Sequence, residues 1–163
     1  MLRAVAGKKG KSGARPGVKM VAQNRKARFN YEVIDDVEAG MVLTGTEVKS
    51  LRDGKVQLLD SYASVDKGEM YLHHAHISEY DFGNVFNHDP IRKRKLLLHR
   101  REIDRLHAAV KERGFTLIPL ELYFRNGRAK MKLGVCKGKA THDKRASIKD
   151  RDEKRALRRE MAD

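Results

Sequence analysis

Phe115-Thr116-Leu117-Ile118-Pro119-Leu120-Glu121-Leu122-Tyr123-Phe124-Arg125-Asn126-Gly127-Arg128-Ala129-Lys130-Met131-Lys132-Leu133-Gly134-Val135 decides what kind of fold this chain makes. Its first half is rich in apolar and aromatic residues, with Ile118, Leu120, Leu122 and Phe124 falling on one face of an extended strand. Pro119 cannot donate to a ladder, so an edge or a bulge is expected there. Asn126-Gly127 between two such runs is a strong hairpin signal, because both central residues of a tight primed turn need positive φ. The return strand alternates, with Ala129, Met131, Leu133 and Val135 inward and Lys130 and Lys132 outward. An antiparallel β core follows.

Downstream, Gly134-Val135-Cys136-Lys137-Gly138-Lys139-Ala140-Thr141-His142-Asp143-Lys144-Arg145 hands the body over to a tail. The strand is expected to end near Cys136, with Gly138 freeing the backbone. Beyond Asp143 the residues are good helix formers, but the apolar ones are only Ala146, Ile148, Ala156, Leu157, Met161 and Ala162. Asp150 and Lys154 form a helpful i,i+4 pair, whereas Lys154–Arg158 and Arg151–Arg155 repel. A segment this polar predicts a tail disordered alone that turns helical on an anionic surface.

Upstream of the hairpin, Ile103, Leu106, His107 and Val110 recur at helical spacing, and Gly114 stops the helix after Lys111 and Arg113. Arg92-Lys93-Arg94-Lys95, at its mouth, is suited to gripping phosphates. Leu59–Val65 and Glu69–Ile77 read as a hairpin around a three-residue loop, Asp66-Lys67-Gly68. His74 and His76 on its second arm share a face, but no Cys or fourth patterned ligand accompanies them, so exposed strand histidines are expected rather than a metal site. Tyr31 and Val33 mark an earlier strand, and Gly40 and Gly45 bracket a second extended run, Met41–Thr44, with a bend or bulge at its edges. Thr46 is placed to cap a short helix, Glu47–Arg52, with Val48 and Leu51 inward and Gly54 ending it in the left-handed region. Residues 78–91 read as loop, and its rings Tyr80, Phe82 and Phe86 are expected to pack on the body rather than stack on bases.

Composition narrows the function. The chain of 163 residues has a net charge of +14, and that charge is segregated. Residues 1–28 hold nine Lys/Arg and no acid, whereas residues 29–89 hold four against twelve Asp/Glu. Residues 90–136 hold thirteen against four, and residues 137–163 ten against six. Solubility needs no such segregation, and a polyanionic partner explains it better, because clustered cations release counterions from phosphates. The Gly/Lys/Ala-rich residues 1–23 read as a disordered basic arm. No apolar run reaches the ~20 residues of a bilayer span. A single cysteine, Cys136, excludes an internal disulfide and fits a reducing cytoplasm. It sits among basic neighbours that could depress its pKa, yet no catalytic partner is identifiable. No His/carboxylate pairing marks an enzyme, and neither metal nor cofactor is expected.

These elements predict a mainly β fold: a small antiparallel OB-like closed barrel of about six strands with two to three helices, between a disordered basic arm and tail. The expected organisation is residues 1–23 as arm, 24–140 as RNA-binding barrel and 141–163 as basic tail.

Several motifs in this order resemble one family, the SsrA-RNA-binding proteins (small protein B), partners of transfer-messenger RNA. They are Asn24-Arg25-Lys26-Ala27-Arg28, Glu38-Ala39-Gly40, Gly45-Thr46-Glu47-Val48-Lys49-Ser50-Leu51-Arg52, Asp60-Ser61-Tyr62, Arg94-Lys95-Leu96-Leu97-Leu98-His99, Gly138-Lys139 and His142-Asp143-Lys144-Arg145. The resemblance implies a monomer that binds the tRNA-like domain of transfer-messenger RNA and carries it to stalled ribosomes. It places the RNA surface at Asn24, Arg25, Lys26, Arg28, Glu38, Tyr62, Arg94, Lys95, Leu97 and His99. It places contacts with the ribosomal decoding centre and the empty mRNA channel at Gly138, Lys139, His142, Asp143, Lys144, Arg145, Lys149, Arg151, Leu157 and Met161. Ala140 departs from the pattern, standing where the family commonly has a lysine. Glu153 and Glu160 stand where apolar residues are common, which leaves Leu157 and Met161 as the apolar anchors. The N-terminal arm is longer than in many members.

Overall fold

The structure, a computed structural model, describes residues 17–162; the side chains of residues 84 and 141–143 lie outside the described set. The strands are β1 (Val18–Gln23), β2 (Tyr31–Met41), β3 (Val56–Gln57), β4 (Tyr62–Asp66), β5 (Glu69–His73), β6 (His76–Ile77), β7 (Arg94–Leu97), β8 (Thr116–Arg125) and β9 (Arg128–Gly138). The helices are α1 (Arg25–Asn30), α2 (Gly45–Arg52), α3 (Arg100–Arg113) and α4 (Thr141–Ala162). Pairing runs β8-β4-β5-β7-β2-β9 and closes through β8–β9, every neighbour antiparallel, so six strands form the predicted barrel. A small β3–β6 ladder stands apart. Inside lie Ala39, Leu51, Met70, Leu72, Leu96, Leu106, Leu117, Leu122, Met131 and Leu133. Each fully buried leucine or methionine contributes about 1.5–3 kcal/mol relative to exposure.

The Phe115–Val135 hairpin forms as read, with Asn126 (φ 50°) and Gly127 (φ 78°) making the turn between Arg125 and Arg128. Pro119 sits at a bulge: it faces Leu133, but Glu121 already faces Lys132, so Leu120 is the extra residue. The bulge changes which residues share a face. Leu117, Leu122 and Phe124 line the barrel, whereas Ile118 and Leu120 join Ala27 and Cys136 in a second small core under α1. The single-face reading of β8 is therefore corrected. Gly134 is what admits Leu120, because a Cβ there would lie 2.7 Å from Leu120 Cδ1.

Other departures have similar local causes. Residues 18–23, read as disordered arm, form β1 against Glu121–Arg125, the half of β8 that extends past β4. Its partner is a hundred residues away in sequence, and no local pattern announces it; the rest of the predicted arm, residues 1–16, lies outside the described residues. Gly40 lies inside one long β2, where Leu97 Cβ would stand 3.2 Å from an added Cβ. The cap of α2 is Thr44 rather than Thr46, its N–H and hydroxyl both reaching the Glu47 carboxylate. The β4–β5 turn has two residues, Lys67 (φ 50°) and Gly68 (φ 78°), with Asp66 opposite Glu69. His74 has φ 62° and breaks the second arm, so His74 and His76 do not continue one strand. On α3, Ile103 and Leu106 are buried with Ala109 packed beside them, while His107 and Val110 are exposed. Strand β9 runs on to Gly138, opposite Tyr31, so the backbone is released only after it. Helix α4 is continuous and solvent-exposed along most of its length, the helical state that its run of helix formers permits.

The 78–91 loop is pinned at its base and bare at its tip. His88 is buried and donates through Nε2–H to the Ile77 carbonyl (2.8 Å), so its Nδ1 accepts from the Thr46 hydroxyl (2.9 Å). Phe82 and Phe86 are 79% and 87% exposed, against the expectation that they pack. Tyr80 meets Phe82 edge-on and has Lys49 over its face.

Candidate nucleic-acid interface

The basic cluster that reads as a phosphate grip is occupied within the molecule. Arg94 is 0% exposed. Its guanidinium donates to the Glu47 carboxylate and to the carbonyls of Ala75 (2.6 Å) and Pro90 (3.0 Å). Arg92 Nε reaches the other Glu47 oxygen at 2.6 Å. Burial alone pushes the Glu47 carboxyl up, but the hydrogen bonds and charges of Arg94 and then Arg92 outweigh it and hold the group below the usual carboxylate range. Lys93 lies 3.1 Å from Asp66 and over the Tyr71 ring, and Lys95 lies 2.9 Å from Glu69. Arg94 is thus removed from the RNA surface. Lys95 remains accessible but paired.

Asn24 is also consumed by the fold, at 7% exposure. Its N–H donates to Leu120 O (2.8 Å), and its side-chain amide donates to Leu58 O (3.2 Å) and Pro119 O (3.0 Å). Its side-chain oxygen caps α1 by accepting from Ala27 N–H at 3.1 Å. Two of the carbonyls it satisfies, those of Pro119 and Leu120, sit at the β8 bulge. Asn24 therefore holds α1 in place rather than facing outward.

What α1 presents is Arg25 and Lys26, both exposed and without an ion pair among the described residues. Arg28 is held by Glu121 at 3.4 Å. Lys26 lines a shallow polar notch with Asn24, Asn30, Asp60 and Ser61. Tyr62 follows directly, 39% exposed, with its ring stacked on His73. Motifs far apart in sequence, Asn24–Arg28 and Asp60–Tyr62, thus form one site.

Glu38, Leu97 and His99 form a second group. Gly40 faces Leu97 across β2–β7, and Leu97 is 51% exposed. Glu38, on the same face of β2 as Gly40, accepts from the Tyr123 hydroxyl and pairs with Arg125 at 3.1 Å. Lys130 Nζ comes within 3.7 Å of where a Gly40 side chain would begin. His99 is exposed at the start of α3, its N–H donating to Glu102 at 3.1 Å. Along β7 this group lies beyond Arg94, which pairs with Leu72, whereas Tyr62 lies on the other side of Leu72 through its partner His73. The predicted RNA residues therefore divide into two patches.

The tail residues start where β9 and α1 meet. Lys139 N–H donates to Asn30 O (3.0 Å), and its ammonium reaches the Ser147 hydroxyl (3.2 Å). Arg151 lies over the Phe29 ring at 5.5 Å, and Lys144, Arg145 and Lys149 make no ion pair among the described residues. Leu157 and Met161 are exposed. The side chains of His142 and Asp143 lie outside the described residues. Cys136 is no candidate nucleophile: burial pushes its thiol up to about 11, against a smaller pull from Arg28. That reverses the depressed pKa expected from its basic neighbours.

Sequence reading passed over His73 and His74 as site residues. A signal was available. A two-residue Lys67-Gly68 turn sets Asp66 opposite Glu69 and hence Tyr62 opposite His73.

Comparison with known proteins gives the family of the chain. The family model described as SmpB protein matches residues 21–163. An SsrA-binding protein of Syntrophomonas wolfei is 56% identical over 95% of this chain and 96% of its own length. The SsrA-binding protein of Geobacillus thermodenitrificans is 55% identical, covering 86% and 91%. A solved chain described under "tmRNA-SmpB: a journey to the center of the bacterial ribosome" superposes with a TM-score of 0.63 at 49% identity, covering 74% of this chain and 85% of that one.

Proposed function

The chain belongs to the SmpB family, and on that premise we propose that it is the protein partner of transfer-messenger RNA in ribosome rescue. It binds the tRNA-like domain of that RNA through the barrel and brings it to ribosomes stalled on broken messages, so that the stalled peptide is tagged. It works by binding, without a catalytic step of its own, as a monomer in the cytoplasm. No helix among the described residues is long and apolar enough to cross a membrane.

The observation that carries this reading is the site built by α1 and the turn before β4. It combines Arg25 and Lys26, cations without an ion pair among the described residues, with a polar notch and an exposed ring, Tyr62. Folded RNA offers phosphates to the first and unstacked loop bases to the last. The tail supports a second contact. Once Lys139 leaves the barrel, α4 carries Lys144, Arg145, Lys149 and Arg151 as a cationic rod suited to rRNA at the decoding centre and along an empty mRNA channel.

An electrophoretic shift with a tRNA-like RNA tests the first half: binding should be tight, specific and steeply salt-dependent. Equal, weak binding to any RNA would sink it. Truncation after Ala140 tests the division of labour. RNA affinity should stay nearly intact while tagging of stalled peptides is lost; loss of RNA affinity would contradict it.

A further inference from the structure

Beside the α1 notch, three rings gather at the surface. Tyr62 and His73 sit directly opposite each other across β4–β5, their rings stacked at 4.9 Å and 21°. His74 follows with its ring 5.6 Å from Tyr62 and 6.5 Å from His73, so the three form a triangle. The cluster is held from two sides. The Ser64 hydroxyl lies 2.7 Å from His73 Nε2, fixing that ring. The backbone at His74 is left-handed, φ 62°, an uncommon state for a non-glycine residue that turns this side chain out of the strand alternation.

This packing leaves the rings unequal. His73 is half-buried; burial, then the nearby charges of Lys93 and His74, hold its imidazole below the usual histidine range, so it is neutral at neutral pH. A neutral ring is a good backing plate. Tyr62 has one face against that plate yet stays exposed, and His74 is exposed beside it. Ordering Tyr62 in advance removes much of the rotamer cost that a lone surface tyrosine meets when a base stacks on it.

We propose that Tyr62, His73 and His74 form one composite nucleotide subsite. An unstacked base lies on the outer face of Tyr62, His73 is the positioning residue behind it, and the His74 imidazole hydrogen-bonds the same nucleotide. The proposal rests on the RNA-binding reading above and extends it to two histidines outside the motifs that carry that reading. Its location follows from the fold. Asp60 and Ser61, which line the notch with Lys26, precede Tyr62 directly, so a strand whose phosphates meet α1 has its next base within reach of the rings.

The chain has no tryptophan, so Tyr62→Trp supplies a single reporter ring in the full-length protein. Adding a tRNA-like RNA should quench that tryptophan, as stacking on a base does. By electrophoretic shift, Tyr62→Ala should weaken binding about tenfold, within the range for one base–aromatic stack. His74→Asn, which keeps a residue tolerant of left-handed backbone, should weaken it roughly threefold to tenfold, the worth of one hydrogen bond. His73→Val should reduce affinity in the Tyr62 protein but add nothing in the Tyr62→Ala background. A residue that merely supported the fold would act equally in both. Wild-type affinity in His73→Val and His74→Asn, or an unquenched tryptophan at saturating RNA, overturns the subsite while wild-type binding leaves the RNA-binding reading standing. Failure of the wild-type protein to prefer the tRNA-like RNA overturns both.

Discussion

Replacing Glu47 by alanine tests the most consequential reassignment in the molecule, that of Arg94 from RNA ligand to structural core. The Glu47 carboxylate accepts from Arg92, from Arg94 and from its own cap residue Thr44, and neither Glu47 nor Arg94 is exposed. In Glu47→Ala the Arg94 guanidinium stays among the carbonyls of Ala75, Arg92, Asp89 and Pro90 without a counter-charge. Removing one partner of a buried pair costs about 3–5 kcal/mol. For a chain of this size the thermal midpoint then falls by on the order of 10 °C. Denaturant unfolding followed by circular dichroism measures the free energy directly. Glu47→Met with Arg94→Met should recover most of the loss, because a buried pair is worth little against apolar packing of similar volume. That double variant should also keep its RNA affinity, which a phosphate-binding Arg94 forbids. A loss under about 1 kcal/mol, the value of an exposed pair, would refute the reasoning. So would a double variant less stable than Glu47→Ala. The pH dependence gives an independent sign. The folded carboxyl titrates below its unfolded value, so its contribution is complete above the unfolded pKa and disappears as pH falls through the folded one. The stability curves of wild type and Glu47→Ala should converge in acid.

Three further outcomes follow from the geometry. Gly134→Ala places a methyl 2.7 Å from Leu120 Cδ1 and 3.2 Å from Cys136 Sγ, and overpacking there should cost about 1–3 kcal/mol by denaturant unfolding. With its thiol raised to about 11, Cys136 should resist a thiol-specific disulfide reagent at neutral pH until the protein is unfolded. Its contribution to stability should be intact below the unfolded thiol pKa and decline as pH rises toward the folded value, which a Cys136→Ala control isolates. Finally, Lys26→Ala should lower the slope of log affinity against log salt by about one, whereas Lys93→Ala, already spent on Asp66 and Tyr71, should leave the slope unchanged. Equal slopes for both variants would contradict the placement of the phosphate contacts.

The parts legible in the sequence were those governed by short-range rules. The Asn126-Gly127 turn, the Gly114 stop of α3 and the alternation of β9 need only neighbouring residues to specify them. The barrel class followed from counting such units. What escaped was set by distant partners. Strand β1 exists because half of β8 extends past β4, and Asn24 is buried because a bulge at Pro119 turns two carbonyls toward it. Neither fact leaves a mark near the residue concerned. Of the site, Lys26 and Tyr62 are exposed while Arg94 is not, because sequence density cannot distinguish a cation facing solvent from one facing a carboxylate on a helix 47 residues away.

The charge pattern makes the same point at the scale of the whole chain. Acids crowd residues 29–89 and bases crowd residues 90–136, a separation that along the sequence reads as a polar molecule with a bare basic face. The barrel order sets β5 and β2 on either side of β7, and β9 beside β2, which brings the two blocks together. Glu47 meets Arg92 and Arg94, Asp66 meets Lys93, Glu69 meets Lys95, Glu38 meets Arg125, and Asp36 meets Lys132. Six cations of the basic block are thus matched to acids of the protein itself. Cations without an ion pair among the described residues include Arg25 and Lys26 on α1 and Lys144, Arg145 and Lys149 on α4, on either side of the hydrogen bond from Lys139 to Asn30. Because these cations flank one junction, a nucleic acid gripping α1 lies close to whatever the tail engages. On the proposed function, the barrel contact and the tail contact are therefore coupled by adjacency.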